Sequence, residues 1–228
     1  MREMKGASDI QRLPASLSNL TFVTGSLVVA LAFAVAAQPA SIQPFDELVG
    51  RLITGIHGSA SSVIDLTTLL GDRLLIWPIT MGAVLIVARR CRSLAVVLAV
   101  SAVSALLVEV AVKFLIDRPR PGTVGFLASF PSGHVMAAVA WWGLVPAVTF
   151  VLTHSSTLRR ITLGTSVVIV TAVAMSRVSL GAHWATDVVA GMLLGVVVTA
   201  TAYRIVMSSG GTDCSCRVHG TTVPAAGV

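Results

Sequence analysis

Ser93-Leu-Ala-Val-Val-Leu-Ala-Val-Ser-Ala-Val-Ser-Ala-Leu-Leu-Val-Glu-Val-Ala-Val112 is a run of twenty residues that carries one charge, Glu109. An α-helix needs about 20 apolar residues to cross the hydrocarbon of a bilayer. The run has no polar stripe of the kind that marks a helix at a water interface. The rest of the chain agrees with it. Of 228 residues, 55% are hydrophobic and 11% charged, against about 25% charged in soluble domains. Mean hydropathy is +0.88. A soluble fold of this size lacks the polar shell to cover so much apolar surface. The composition therefore excludes an ordinary soluble globular protein. It predicts an all-α integral membrane bundle.

Outward from this stretch, six spans are expected: 19–40, 72–88, 93–112, 135–153, 161–176 and 185–203. The first ends in Ala-Val-Ala-Ala-Gln38, which also fits a cleaved signal peptide. Its apolar core is long for one, so an uncleaved anchor is the preferred reading. The divisions are a cytoplasmic segment 1–18, a six-span domain 19–206 and a polar, disordered tail 207–228. With the N-terminus inside, ten Lys and Arg fall on the inner side. Six fall outside: Arg51, Arg73, Lys113, Arg118, Arg120 and Arg177. This asymmetry places both termini in the cytoplasm. The net charge of +6 then belongs to loops facing anionic lipid, not to a nucleic-acid surface. Residues 41–56 alternate at helical spacing, with Ile42, Phe45, Leu48, Leu52 and Ile56 on one face and Asp46, Glu47 and Arg51 on the other. They read as an amphipathic helix on the outer membrane surface, or as one packed on the bundle. Three cysteines, Cys91, Cys214 and Cys216, imply no disulfide framework.

Three polar clusters fall at span ends on the outer face. The first, Lys113-Phe-Leu-Ile-Asp-Arg-Pro-Arg120-Pro121, closes the third span. Lys113 and Arg120 are two helical turns apart. Glu109 and Asp117, four residues either side of Lys113, read as holders of its ammonium. The second, Pro131-Ser132-Gly133-His134, opens the fourth span. A helix N-terminus offers unpaired N–H groups and partial positive charge, and glycine lets an anion approach the backbone. His134 is placed there to hand a proton to a leaving oxygen; alone, the cluster is equally a helix cap. The third runs from Ser176 and Arg177 to His183 and Asp187. His183 and Asp187 share a helical face, where a carboxylate fixes the imidazole tautomer. Arg177 offers a fork suited to phosphate oxygens. Together these are the parts for binding and cleaving a phosphate.

These residues resemble the type-2 phosphatidic acid phosphatase superfamily, whose pattern is K-x6-R-P, then P-S-G-H, then S-R-x5-H-x3-D. All eleven specified positions are present, in order, from Lys113 to Asp187. The resemblance implies that His183 is the nucleophile, forming a phosphohistidine, and that Asp187 orients it. It implies that His134 is first general acid and then general base. Lys113, Arg120, Ser132, Gly133 and Arg177 become the phosphate cradle, with Pro131, Ser176, Glu109 and Asp117 supporting; Ser176 is read as positioning Arg177. No cofactor or metal is implied. The nine residues 122–130 between the first two motifs are short for the family and suggest an open site. The expected activity is removal of a terminal phosphate from a lipid at the outer leaflet of the plasma membrane. A polyprenyl diphosphate is favoured there, with phosphatidic acid and phosphatidylglycerol phosphate as rivals. A lipid phosphotransferase using the same phosphohistidine is the second reading. Trp77 and Trp184 read as interfacial anchors. Gly191 and Gly195 read as a close-packing pair within the bundle, with oligomeric state left open.

Overall fold

The computed structural model describes residues 5–37, 39–89, 91–122, 128–146, 149, 153 and 155–208, without the side chains of 5–18, 55–61 and 205–208. The described elements are helices: α1 (Lys5–Ala37), α2 (Pro39–Leu69), α3 (Arg73–Ala88), α4 (Arg92–Leu115), α5 (Gly133–Trp142), α6 (Ser156–Ser179) and α7 (Ala185–Ser208). The tail 207–228, apart from the last turn of α7, lies outside the described residues, as do Cys214 and Cys216. Cys91 is fully buried and disulfide-bonded, which the three scattered cysteines did not lead one to expect.

Four helical stretches are long and apolar enough to cross a membrane: Asn19–Ala37, Arg92–Leu115, Ser156–Ser179 and Ala185–Arg204. Arg73–Ala88 is too short alone. It pairs with Ser62–Leu69 across a 42° bend to make a fifth. The expected fourth span, 135–153, begins in α5 and continues partly outside the described residues. The described residues thus hold four or five spans, where six were expected. The chain is a multi-pass membrane protein.

Local chemistry sets the helix ends. Asp72 caps α3 by accepting from the Leu74 N–H at 2.7 Å, and Ser155 caps α6 by accepting from the Leu158 N–H at 3.3 Å. Such caps satisfy donors that the helix itself cannot. After α6 the chain reverses through Gly181 at φ +62°. That is the left-handed conformation in which glycine carries no steric penalty. The reversal places His183 immediately before α7.

The helix α7 is the centre of the bundle: 56% of its apolar stretch is buried, against 17% for α1. It packs on α1, α4 and α5, while α6 lies against α2 and α5. Val135, Ala138, Val173, Val178 and Val188 knit α5, α6 and α7 into one core cluster. Small residues set the α5–α7 spacing. A Cβ at Gly191 would stand 2.6 Å from the Ser132 carbonyl oxygen, and one at Gly195 would stand 2.7 Å from Val139 Cβ. Both glycines therefore face α5 of the same chain, so that backbone rather than side chain makes the contact.

The stretch 41–56 is not a separate surface helix. It forms the first half of the 31-residue α2, with Pro44 inside it. Its exposed side is mixed, with Glu47 and Arg51 beside apolar residues. Phe45, Leu48 and Leu52 are exposed, while Asp46 is fully buried against the bundle. The outward apolar residues suit lipid, and the inward carboxylate has partners described below. The α5–α7 contact is testable. Gly195→Val overpacks it and is expected to cost about 1–3 kcal/mol. In detergent, Tm should fall by roughly 2–4 °C per kcal/mol for a chain of this size; an unchanged Tm would mean that the two backbones do not meet there.

Candidate active site

The three polar clusters meet at one end of the bundle. Ser132 donates its backbone N–H to the Asp187 carbonyl at 3.0 Å, which ties the start of α5 to the start of α7. Gly122 donates its N–H to the Gly181 carbonyl at 3.1 Å, which ties the chain after α4 to the turn before His183. Arg120 donates from Nη1 to the Ala182 carbonyl at 3.0 Å, beside His183.

Around His183, Asp187 is the organising group. Its carboxylate is fully buried. Oδ1 accepts from Arg118 Nη1 at 2.7 Å and Oδ2 accepts from the Trp184 N–H at 2.9 Å. Oδ2 also lies 3.7 Å from His183 Nδ1, just beyond hydrogen-bond reach. Burial pushes the His183 imidazole below the ordinary histidine range. The Asp187 carboxylate pulls it back up, and the Arg120 and Arg177 guanidinium groups push it further down. A neutral imidazole is the form that can act as a nucleophile.

His134, at the start of α5, sits with its Nε2 at 3.7 Å from Asp72 Oδ2. Burial and the Arg177 charge, with smaller contributions from His183 and Arg73, outweigh the pull of Asp72 and hold its pKa at about 4. The two imidazoles therefore sense each other and share Arg177 as a neighbour.

Three of the residues expected to cradle a phosphate, Arg177, Lys113 and Arg120, already donate to protein groups. Arg177 donates from Nη1 to Thr68 Oγ1 at 2.7 Å. Lys113 donates to Glu109 Oε1 at 2.8 Å. Glu109 also pairs with Arg73. Asp117 is exposed and is not paired with Lys113; four residues C-terminal to Lys113 lies past the end of α4, where helical spacing no longer applies. Gly133 has a different use from the one its motif suggests. A Cβ there would lie 2.1 Å from Glu109 Oε1, so the missing side chain makes room for this carboxylate. Ser176 donates its hydroxyl back to the Val173 carbonyl at 2.7 Å, and does not bond Arg177.

Among the described residues, six buried side-chain polar atoms have no partner, and three are here: Ser132 Oγ, Arg177 Nε and His183 Nδ1. A buried, unpaired donor costs about 1–3 kcal/mol. His183 Nδ1 faces Asp187; Ser132 Oγ and Arg177 Nε are the donors that a ligand would satisfy. A cleft of about 430 Å³, bordered by Asp46, Glu47, Arg51, Gly122, Gly181 and His183, lies between α2 and the α6–α7 turn. A second, mostly apolar pocket between α3, α4 and α5, with Glu109 and Gly133 in its lining, is small, with a cavity volume of about 30 Å³.

Several groups were not singled out from sequence. Arg118 donates to Asp46 Oδ2 at 2.6 Å, and to Asp187 and Thr186 at 2.7 Å each. The Trp184 ring covers its guanidinium at 5.4 Å, so this Trp serves the site and is not only an anchor. Asp46 also accepts from the Thr186 N–H and hydroxyl at 2.8 and 2.7 Å. Thr68, Asp72 and Arg73 come from the α2–α3 break. The place of Asp46 on the polar face of an amphipathic stretch was the one available signal for it.

Comparison with known proteins places this arrangement. The sequence model described as the PAP2 superfamily matches residues 93–210. No curated protein matches the chain. Among solved structures, a transmembrane PAP2-type phosphatidylglycerolphosphate phosphatase from Bacillus subtilis has the same fold, with TM-score 0.71 and 24% identity over 87% of this chain and 96% of that one.

The environment of His134 makes a direct prediction. In the unliganded protein its ring carbon signals should titrate by NMR with a midpoint near 4. Bound vanadate or phosphate should raise that midpoint, because an anion favours the imidazolium. A midpoint at or above the ordinary value of about 6.5 without ligand would contradict the buried, cation-flanked geometry.

Proposed function

This chain belongs to the PAP2 superfamily, and from that premise we propose that it removes the terminal phosphate of a membrane lipid through a phosphohistidine. The observation that carries the reading is the set of unpartnered buried atoms, Ser132 Oγ, Arg177 Nε and His183 Nδ1, gathered where the family's motifs meet. A phosphate supplies acceptors for the first two. A proton left on Nδ1, facing Asp187, leaves Nε2 of His183 free to attack.

In the first step His183 Nε2 bonds to phosphorus, and the bond from phosphorus to the leaving oxygen breaks. His134, protonated in the charged complex, gives its proton to that oxygen. In the second step water attacks phosphorus, the P–N bond breaks, and His134 takes a proton from the water. His183 is restored and phosphate departs. Arg177, Arg120, Lys113 and the start of α5 stabilise charge on the phosphoryl oxygens; such preorganised donors are worth about 10²–10³ each in rate. Both imidazoles are held low without ligand. That suits the nucleophile at once, and suits the acid only after an anion has arrived.

The substrate class follows from setting. The site opens at an end of a membrane bundle, so a lipid phosphate is its natural ligand. The positive-inside asymmetry supports the outer side of the plasma membrane for that end, where a polyprenyl diphosphate would meet it. The fold neighbour is a phosphatidylglycerolphosphate phosphatase, which keeps that lipid beside phosphatidic acid among the candidates. The reaction as written uses no metal.

Phosphate release by the purified protein in detergent, with excess EDTA, tests the chemistry on a panel of these three lipids. Wild type should turn over at least one of them, His183→Ala none, and Lys113→Ala should lose roughly 10²-fold in kcat/KM. Persistent turnover by His183→Ala would remove the phosphohistidine. Release only on adding an acceptor lipid would reassign the chain as a phosphotransferase. Sidedness has its own test: a single cysteine placed within 122–130 should react with an impermeant reagent in intact cells. Reaction only after lysis would invert the topology.

A further inference from the structure

The proposed mechanism gives the nucleophile its carboxylate, Asp187, and leaves the acid, His134, with none. We propose that Asp72 is the positioning residue for His134, and that the α2–α3 break exists in part to deliver it. The inference rests on the reading of His134 as general acid.

The break is held from every side. Trp142 Nε1 of α5 donates to the Leu70 carbonyl at 3.0 Å. Arg177 of α6 donates to Thr68 Oγ1 at 2.7 Å. Arg73 pairs with Glu109 of α4. Gly71 closes the last gap: a Cβ there would stand 2.7 Å from Val173 Cγ1 and 2.9 Å from the His134 carbonyl oxygen. The turn therefore lies against the backbone of His134 itself.

On this anchored turn, Asp72 uses its two oxygens separately. Oδ1 accepts from the Leu74 N–H at 2.7 Å as the cap of α3. That bond fixes the carboxylate plane. Oδ2 is left facing His134 Nε2 at 3.7 Å. An imidazolium has two N–H groups; one directed at Asp72 leaves the other for the leaving oxygen. The charged groups around His134 are Asp72 and Arg73 from the break, Arg177 from α6, and His183 from the turn before α7. The Glu109 carboxylate of α4 lies against the adjacent Gly133. Of the two carboxylates, Glu109 is taken up by Arg73 and Lys113. Asp72 is thus the one that can stabilise a proton on His134 against three neighbouring cationic or basic groups. The contact is long without ligand and shortens when His134 becomes charged, as catalytic hydrogen bonds commonly do in the loaded state.

The test compares two substrates with the same alkyl tail, an alkyl phosphate and a p-nitrophenyl phosphate, by kcat/KM in detergent. The alkoxide needs a proton as it leaves; nitrophenolate does not. Kcat/KM reports the first step alone, so the later use of His134 as a base does not enter. Asp72→Asn keeps the cap, since Asn and Asp cap equally well, and removes the charge. It should lower kcat/KM for the alkyl phosphate by roughly 10–100-fold, a share of the 10²–10⁴ that general acids supply. It should change the nitrophenyl substrate by less than about threefold, with Tm unchanged. His134→Asn should show the same selectivity, more strongly, and the double variant should be no worse than His134→Asn, because Asp72 acts through it. Equal losses on both substrates, or additive losses in the double variant, would overturn the role of Asp72. Absence of leaving-group selectivity in His134→Asn itself would overturn the acid reading beneath it.

Discussion

Arg118 holds two fully buried carboxylates at once, Asp46 of α2 and Asp187 of α7. Moving ions of this size out of water costs several kcal/mol each, and only close pairing with further hydrogen bonds offsets it. Here the partners are nearly complete. Asp46 also accepts from Thr186 twice, and Asp187 from the Trp184 N–H. The Trp184 ring covers the guanidinium. The consequence is geometric. The chain after α4, the first half of α2 and the start of α7 converge on one cation, so none can move without stranding a charge. Asp46 further serves as a cap for α7, supplied by another helix, at the end where a helix N-terminus favours negative charge. Asp187 reaches His183 from a position that Arg118 has already fixed.

This anchoring explains why the site is poised and not collapsed. In a loosely built cluster, the cations would turn to the nearest carboxylates and neutralise themselves. Instead, Arg118 consumes Asp46 and Asp187, while Arg73 and Lys113 share Glu109. Arg177 gives one N–H to a neutral hydroxyl and keeps Nε buried and unpartnered. Burial is the main cause that lowers both imidazoles, and the Arg177 charge adds to it, strongly at His134 and least at His183, where Arg120 weighs more. An incoming phosphate reverses that field. In the proposed mechanism, the charge of the substrate would then set when His134 holds a proton, coupling acid catalysis to occupancy of the site. Donors prepared in this way need little rearrangement as charge develops in the transition state.

Much of the candidate site's clustering was legible in the sequence because it is local. His183 and Asp187 lie one helical turn apart, Pro131 to His134 are contiguous, and Lys113 sits at a span end, so spacing alone brings each cluster together. Membrane character was legible from the twenty-residue run before Lys113. What was not legible is long-range. Asp46 meets Thr186 across 140 positions, and Arg177 meets Thr68 across 109. No periodicity encodes such distances. The amphipathic face of residues 41–56 was visible, but its orientation was not: apolar residues on a helix beside lipid can point out as readily as in. Asp117 failed for a related reason, since helical spacing was carried past the point where α4 ends. Arg73–Ala88 is too short to cross alone because its other part lies across a bend, in Ser62–Leu69.

These two kinds of residue divide along the chain. The family match begins at residue 93 and contains every group assigned to bond making. The segment before it, α2 and the break to α3, supplies Asp46, Thr68, Asp72 and Arg73. The division has a physical cause. Groups that exchange bonds with phosphorus must keep mutual positions to within a fraction of an ångström, and short motifs on rigid helix ends do that best. A supporting carboxylate has only to arrive beside its imidazole or guanidinium, and any element that reaches the place can bring it. A helix bent at Gly71 and Asp72 reaches two such places: its first half carries Asp46 to Arg118, and its break carries Asp72 to His134. The N-terminal helices thus set the charge environment in which both histidines work, in addition to holding the chain in the membrane.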